Sequence, residues 1–136
     1  MHTVKAFVVE DSPIILDQLV AALEELAPVE VVGSAPDEAA AVQWLTEPDN
    51  RCDLVIIDIF LRTGSGLGVL RRAAELGFQA KRVVLTNYAT PDMREHCAAL
   101  GADRVFDKSR ELDELISYCL RLGQDTAEDG GSARLS

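Results

Sequence analysis

Aromatic side chains are scarce in this sequence: one Trp, two Tyr and four Phe among 136 residues. The hydrophobic fraction is 48%, enough for a packed core that must then be mostly aliphatic. Basic charge is scarce as well. Against 23 Asp and Glu stand 13 Lys and Arg, a net charge of -10 at pH 7. That balance disfavours a nucleic-acid partner, because proteins that bind a phosphate backbone carry a basic face. Cysteine is limited to Cys52, Cys97 and Cys119, an odd number without CxxC spacing. Neither a disulfide framework nor a zinc site is indicated, and free thiols in a reducing cytoplasm are expected. No apolar run is long enough to cross a bilayer, and Met1–Lys5 leads into a strand rather than a signal peptide. The expectation is a cytoplasmic protein with no membrane insertion.

What is present is a regular alternation. Val4–Val9 reads as a strand, closed by Glu10-Asp11, and Ser12-Pro13 open a helix as N-cap and first helical residue. That helix carries Ile15, Leu16, Leu19, Val20, Leu23 and Leu26 at helical spacing. Val29–Ala35 is a second strand, and Pro36-Asp37 start a helix that packs with Trp44 and ends at Pro48-Asp49-Asn50. The run Leu54-Val55-Ile56-Ile57, between Asp53 and Asp58, suits a strand buried on both faces of a parallel sheet. Glycine-rich Thr63-Gly64-Ser65-Gly66 precedes a third helix with Leu67, Leu70, Ala73 and Ala74 inward and Gly77 at its end. Arg82–Leu85 is strand four, ending at Thr86. Thr90-Pro91 start helix four, which Gly101 ends. Arg104–Phe106 is strand five, followed by Asp107-Lys108-Ser109 and a helix with Leu112, Leu115, Ile116, Cys119 and Leu120 that ends at Gly123. Five strands alternating with five helices predict a doubly wound α/β domain with a parallel sheet over residues 1–122. Residues 123–136 are expected to form a polar, disordered tail.

In such a sheet the carboxyl ends of the strands share one edge, where ligands bind. The polar residues at those ends are Glu10 and Asp11, Asp58, Thr86 and Lys108. Three carboxylates near one point repel one another and call for a cation, and ligands that are all oxygen favour a hard ion such as Mg2+. A lysine and a hydroxyl aimed at the same point suit a phosphoryl group.

In this order, each after an apolar strand, these residues resemble the site of response regulator receiver domains, the CheY-like family. The resemblance covers about Val4 to Leu122. It implies a flavodoxin-like sheet of order 2-1-3-4-5 and a two-component phosphorelay function without a dedicated enzyme activity. Asp58 resembles the phosphoacceptor, which takes a phosphoryl group from a sensor histidine kinase or phosphotransfer protein and loses it by autodephosphorylation. Asp11 resembles the direct Mg2+ ligand, Glu10 its water-mediated neighbour, and the backbone carbonyl of Phe60 a further ligand. Lys108 resembles the lysine that pairs with the phosphoryl oxygens, and Thr86 the switch hydroxyl. Without an output domain in the sequence, the resemblance implies a single-domain regulator, a monomer or weak homodimer, that signals to a downstream protein target or passes the phosphoryl group on. The usual partner surface is the face of helix four, strand five and helix five, where Arg94, Glu95, His96 and Arg110 are expected to be exposed.

The sequence departs from the family pattern in four places. Ser109 stands where many receivers have a proline after a cis bond, so a trans peptide is expected, and Ser109 is a candidate cap for helix five. Three residues before Lys108, where the family carries a rotating aromatic, stands Val105. Phe106 is one place later and faces the other way. Arg62 replaces the usual proline after the phosphoacceptor, in a glycine-rich loop expected to be more mobile. Phe60 and Tyr88 are large at two variable positions flanking the site and are expected to hinder the attacking water.

Other readings fit less well. A receiver-fold interaction module acting without phosphorylation keeps the fold but leaves Asp11, Asp58, Thr86 and Lys108 without a task. A flavin binder would need a phosphate-cradling loop where Glu10-Asp11 stand. A haloacid-dehalogenase-type phosphatase would need a second acid at the position of Phe60.

Overall fold

The computed structural model describes the backbone of residues 2–135 and the side chains through Gln124. The strands are β1 (Val4–Val9), β2 (Val29–Ala35), β3 (Leu54–Ile57), β4 (Lys81–Thr86) and β5 (Arg104–Asp107). The helices that alternate with them are α1 (Pro13–Leu26), α2 (Glu38–Thr46), α3 (Gly66–Leu76), α4 (Pro91–Ala99) and α5 (Leu112–Leu135). All strand pairs are parallel and the sheet order is β2-β1-β3-β4-β5. The doubly wound, flavodoxin-like fold read from the sequence is therefore the fold of the chain.

The order follows from the burial of the strands. β3 lies at the centre, and all four of its residues are buried, as a strand with both faces covered requires. Successive side chains point to opposite faces. Ala6 and Val8 of β1 enter one apolar layer with Leu19 and Leu23 of α1 and Leu115 and Cys119 of α5. Phe7 and Val9 enter the other with Leu45 of α2, Leu70 of α3 and Cys97 of α4. Each fully buried Leu, Ile, Val or Phe contributes about 1.5–3 kcal/mol relative to exposure. Trp44 lies stacked on Phe7 with 4.0 Å between ring centroids. Gly33 makes room for it, since a methyl there would stand 2.7 Å from the indole Nε1.

Four expected details change. In α1, Ile15 and Leu26 lie at the surface, and Ala27, just past the helix, is buried instead. In α3, Val69 is buried and Ala74 is exposed, because the inward stripe runs Gly66, Val69, Leu70, Ala73. β4 begins one residue earlier, at Lys81. The backbone of α5 continues through Gly123, which the sequence suggested as its end. Gly123 has no positive φ, unlike Gly77 and Gly101 at the ends of α3 and α4. Its role is close approach: a methyl there would stand 2.9 Å from the His2 carbonyl oxygen and 3.1 Å from Pro28. The side chains of the expected tail lie almost wholly outside the described residues.

Candidate functional site

The carboxyl edge of the sheet gathers the strand-end groups. Glu10 and Asp11 follow β1, Asp58 follows β3, Thr86 ends β4 and Lys108 follows β5. Backbone hydrogen bonds fix each in place. Glu10 N–H donates to Ala35 O, Asp58 N–H to Val9 O at 3.0 Å, and Lys108 N–H to Thr86 O at 2.8 Å. The chain turns sharply after Asp58, and Gly66 N–H closes that turn on Ile59 O at 2.9 Å. A methyl at Gly66 would stand 2.2 Å from the Asp58 carbonyl oxygen, so only glycine lets α3 start there.

Lys108 is the hub. Its Nζ donates to a Glu10 carboxylate oxygen and, at 3.1 Å, to Asp58 Oδ2. Its side chain is only 12% exposed. Burial by itself lowers the lysine pKa, but the Glu10 hydrogen bond and the Asp58 charge outweigh it, so the ammonium is held above its ordinary value. Each of the three acids also accepts a backbone N–H. Glu10 Oε2 accepts from Ser12 N–H at 3.0 Å, Asp58 Oδ1 from Phe60 N–H at 3.3 Å, and Asp11 Oδ2 from Arg62 N–H at 3.0 Å.

Carboxylate oxygens of Glu10, Asp11 and Asp58 lie within 4.8 Å of one another. The donor set is all oxygen, Lys108 pairs with Glu10 and Asp58 while the exposed Arg62 stands 3.9 Å from Asp11, and Glu10 and Asp58 are buried. These residues fit a hard divalent cation such as Mg2+, with Asp11 the most open of the three acids.

Thr86 is fully buried, and its Oγ1 accepts from Tyr88 N–H at 3.2 Å. Tyr88 and Phe60, both more than half exposed, meet edge to face at 4.9 Å across the mouth of the site. Beside Lys108 a cleft of about 320 Å³ opens between α1 and α5, lined by Ile15, Leu19, Leu85 and Leu112.

There is no cis peptide bond among the described residues. Ser109 does not cap α5: its N–H and hydroxyl both donate to Asp107 Oδ1, at 2.9 and 2.8 Å. Those bonds, the hydroxyl's first, hold the Asp107 pKa below the ordinary carboxylate value. Phe106 is fully buried in the α1/α5 layer, edge-on to Tyr118, while Val105 faces the opposite layer. The Thr63–Gly66 loop, expected to be mobile, is tethered. Ser65 N–H donates to Glu38 Oε1 at 2.9 Å, and methyls at Gly64 or Gly68 would collide with the Glu38 side chain at 2.5 and 2.4 Å.

The sequence reading missed Arg94 and Glu111. Arg94, expected to be exposed, is half-buried and bonds Ala89 O through Nε, Val105 O through Nη1 and Glu111 Oε1 through Nη2. The Arg94 hydrogen bond holds the Glu111 pKa below its ordinary value. Glu95, His96 and Arg110 are exposed as expected.

A family model described as the response regulator receiver domain matches residues 6–119. Among curated proteins, the uncharacterized transcriptional regulatory protein YvfU of Bacillus subtilis is 30% identical over 123 residues, covering 87% of this chain and 60% of that protein. The transcriptional regulatory protein DltR of Streptococcus agalactiae is 38% identical over 65 residues, covering 48% of this chain and 29% of that protein. The chain thus spans 60% of the length of one of these relatives and 29% of the other. Among solved structures, the receiver domain of Francisella response regulator 1452 superposes with a TM-score of 0.79 at 20% identity, covering 90% of this chain and 98% of that one. A DNA-binding response regulator of the LuxR family from Staphylococcus aureus gives 0.77 at 19% identity, covering 88% and 98%. These structural likenesses speak to the fold.

Proposed function

The chain belongs to the response regulator receiver family, and from that premise we propose that it accepts a phosphoryl group on Asp58 with Mg2+ as cofactor. The observation that carries this is Lys108 Nζ bridging Glu10 and Asp58 while Asp11 stands beside them at the same sheet edge. Phosphoryl transfer asks a protein mainly for positioning and charge neutralisation, and this arrangement supplies both.

The donor is a phosphohistidine on a sensor kinase or phosphotransfer protein. An Asp58 carboxylate oxygen attacks phosphorus, the P–N bond breaks and its electron pair stays on the imidazole, leaving an acyl phosphate. Lys108, already on Asp58 Oδ2, follows the charge onto the phosphoryl oxygens. Phe60 N–H, on Oδ1, orients the carboxylate. Thr86 Oγ1 accepts from Tyr88 N–H before phosphorylation, and the hydroxyl gives up that bond when it turns to donate its proton to the phosphoryl group. Asp11, Asp58 and the Phe60 carbonyl, with Glu10 through water, would hold Mg2+, which would supply neutralisation of charge on the transferring group. In hydrolysis, water attacks phosphorus, the P–O bond to Asp58 breaks, and the carboxylate returns with release of inorganic phosphate and a proton. The Phe60–Tyr88 ring pair shields this step from water and lengthens the phosphorylated state. The apolar cleft beside Lys108 supports donor docking there, and a downstream protein is the target of the phosphorylated form.

The test is incubation with acetyl phosphate and Mg2+, read by intact mass. Wild type is expected to gain one phosphoryl group and Asp58→Asn none. Equal labelling of both overturns the assignment of Asp58. Labelling of neither favours a receiver-fold module that binds partners unmodified.

A further inference from the structure

The reading of Asp58 as phosphoacceptor leaves open how its state reaches the outer face of α4, β5 and α5. Position 105 lacks an aromatic ring. Phe106 cannot supply one, because it is sealed in the opposite layer against Tyr118 with the Arg104 guanidinium 4.9 Å above its ring. A continuous set of hydrogen bonds takes a different route between the two places.

The route starts at the switch hydroxyl. Thr86 Oγ1 holds the N–H of Tyr88, and the next residue, Ala89, presents its carbonyl to Arg94 Nε at 3.1 Å. The same guanidinium holds Val105 O at 2.7 Å and Glu111 Oε1 at 2.7 Å. Glu111 Oε1 also accepts from the N–H of Asp107 at 2.8 Å, next in the chain to Lys108. Lys108 N–H returns to Thr86 O at 2.8 Å. One side chain on α4 therefore grips the loop after β4, the edge strand β5 and the residue before α5, and the ring closes on Thr86 and on Lys108, whose Nζ bonds Asp58.

We propose that Arg94 is the positioning residue that relays phosphorylation of Asp58 to the α4–β5–α5 face. This rests on the phosphoacceptor reading above. When the Thr86 hydroxyl turns toward a phosphoryl oxygen, Tyr88 N–H loses its acceptor and the Ala89 carbonyl is released from its present place. A guanidinium is a planar, rigid fork, so it cannot follow one acceptor without disturbing the other two. The Arg94–Glu111 pair is 40% and 31% exposed, and an ion pair so open to water adds little stability. What the arrangement supplies is fixed geometry across three elements. Lysine, a point charge, cannot reproduce a three-way grip.

The experiment is heteronuclear NMR of the full chain before and after acetyl phosphate with Mg2+, with intact mass run alongside. In wild type the Arg94 Nε–H signal, the Tyr88 amide and the amides of α4 and of the first turn of α5 shift together. In Arg94→Met the adduct forms and the Tyr88 amide still shifts, but the shifts in α4 and α5 are lost. Arg94→Lys gives the same loss, whereas a merely structural cation would be rescued by lysine. Glu111→Ala, a second cut in the same path, loses the α5 shifts and keeps those of Tyr88. An adduct on wild type with an unmoved Arg94 Nε–H overturns the relay alone, as does Arg94→Met transmitting the α4 and α5 shifts in full. A wild type that takes no adduct overturns the Asp58 reading and the relay with it.

Discussion

Lys108 is the residue on which the site balances. Carboxylate oxygens of three acids lie within 4.8 Å of one another, and like charges at such range repel by about 3 kcal/mol at the effective dielectric of a protein surface unless a cation offsets them. Removing the cation leaves Glu10 and Asp58 buried and unmatched. Lys108→Met is expected to lower unfolding stability by about 3 kcal/mol in chelator, because breaking a buried pair strands its partner. Added Mg2+ should restore part of that loss and should raise the melting temperature of the variant more than that of wild type, since the ion binds the folded site only. Thermal melts with chelator and with Mg2+ check this. An equal gain in both proteins would mean that lysine and ion do not share the same acids. All the strand-end residues were legible in the sequence, because each sits directly after an apolar strand and topology alone brings those ends together. Arg94 and Glu38 were not. Their partners lie 17 and 27 residues away, at Glu111 and Ser65, and no periodicity links such positions.

At the level of elements, the starts of helices were the clearest signals. Ser12, Asp37, Ser65 and Thr90 each cap the helix that follows by accepting a backbone N–H. The glycines were less clear, because one residue type serves two physical needs. Gly77 supplies a left-handed cap with φ 62° and open space around it, whereas Gly66 supplies contact with the Asp58 backbone. The two should separate on mutation. Gly77→Ala is expected to cost about 1–2 kcal/mol of backbone strain and leave phosphorylation unchanged. Gly66→Ala is expected to cost about 1–3 kcal/mol through overpacking, and also to slow adduct formation by displacing Asp58. Urea unfolding paired with the acetyl phosphate assay distinguishes them. The same ambiguity explains the misplaced end of α5. Sequence alone cannot tell a glycine that stops a helix from one, like Gly123, that lets the helix lie against the start of β1.

The whole molecule is one sheet between two apolar layers, and each layer holds a buried thiol. Cys52 and Cys97 pack on the α2, α3 and α4 side and Cys119 on the α1 and α5 side. Burial pushes Cys52 and Cys119 up from 9.0 to about 12 and raises Cys97 as well. The folded chain therefore keeps protons that the unfolded chain loses from about pH 9 upward. Stability contributed by Cys52 and Cys119 is complete below that pH and declines as pH rises toward 12. The decline is expected to be about 1.4 kcal/mol per pH unit for each thiol. Urea midpoints measured across the alkaline range, with and without Cys52→Ala and Cys119→Ala, check the slope. Iodoacetamide at mildly alkaline pH should label Cys52, Cys97 and Cys119 only after unfolding. Among the described residues no helix is long and apolar enough to cross a membrane. The tether from Glu38 to the Thr63–Gly68 segment has its own corollary for anyone building chimaeras. A loop transplanted from a cousin would arrive shaped for some other neighbour, so the first turn of α2 and the stretch from 62 to 68 form one hereditary unit and should be exchanged together.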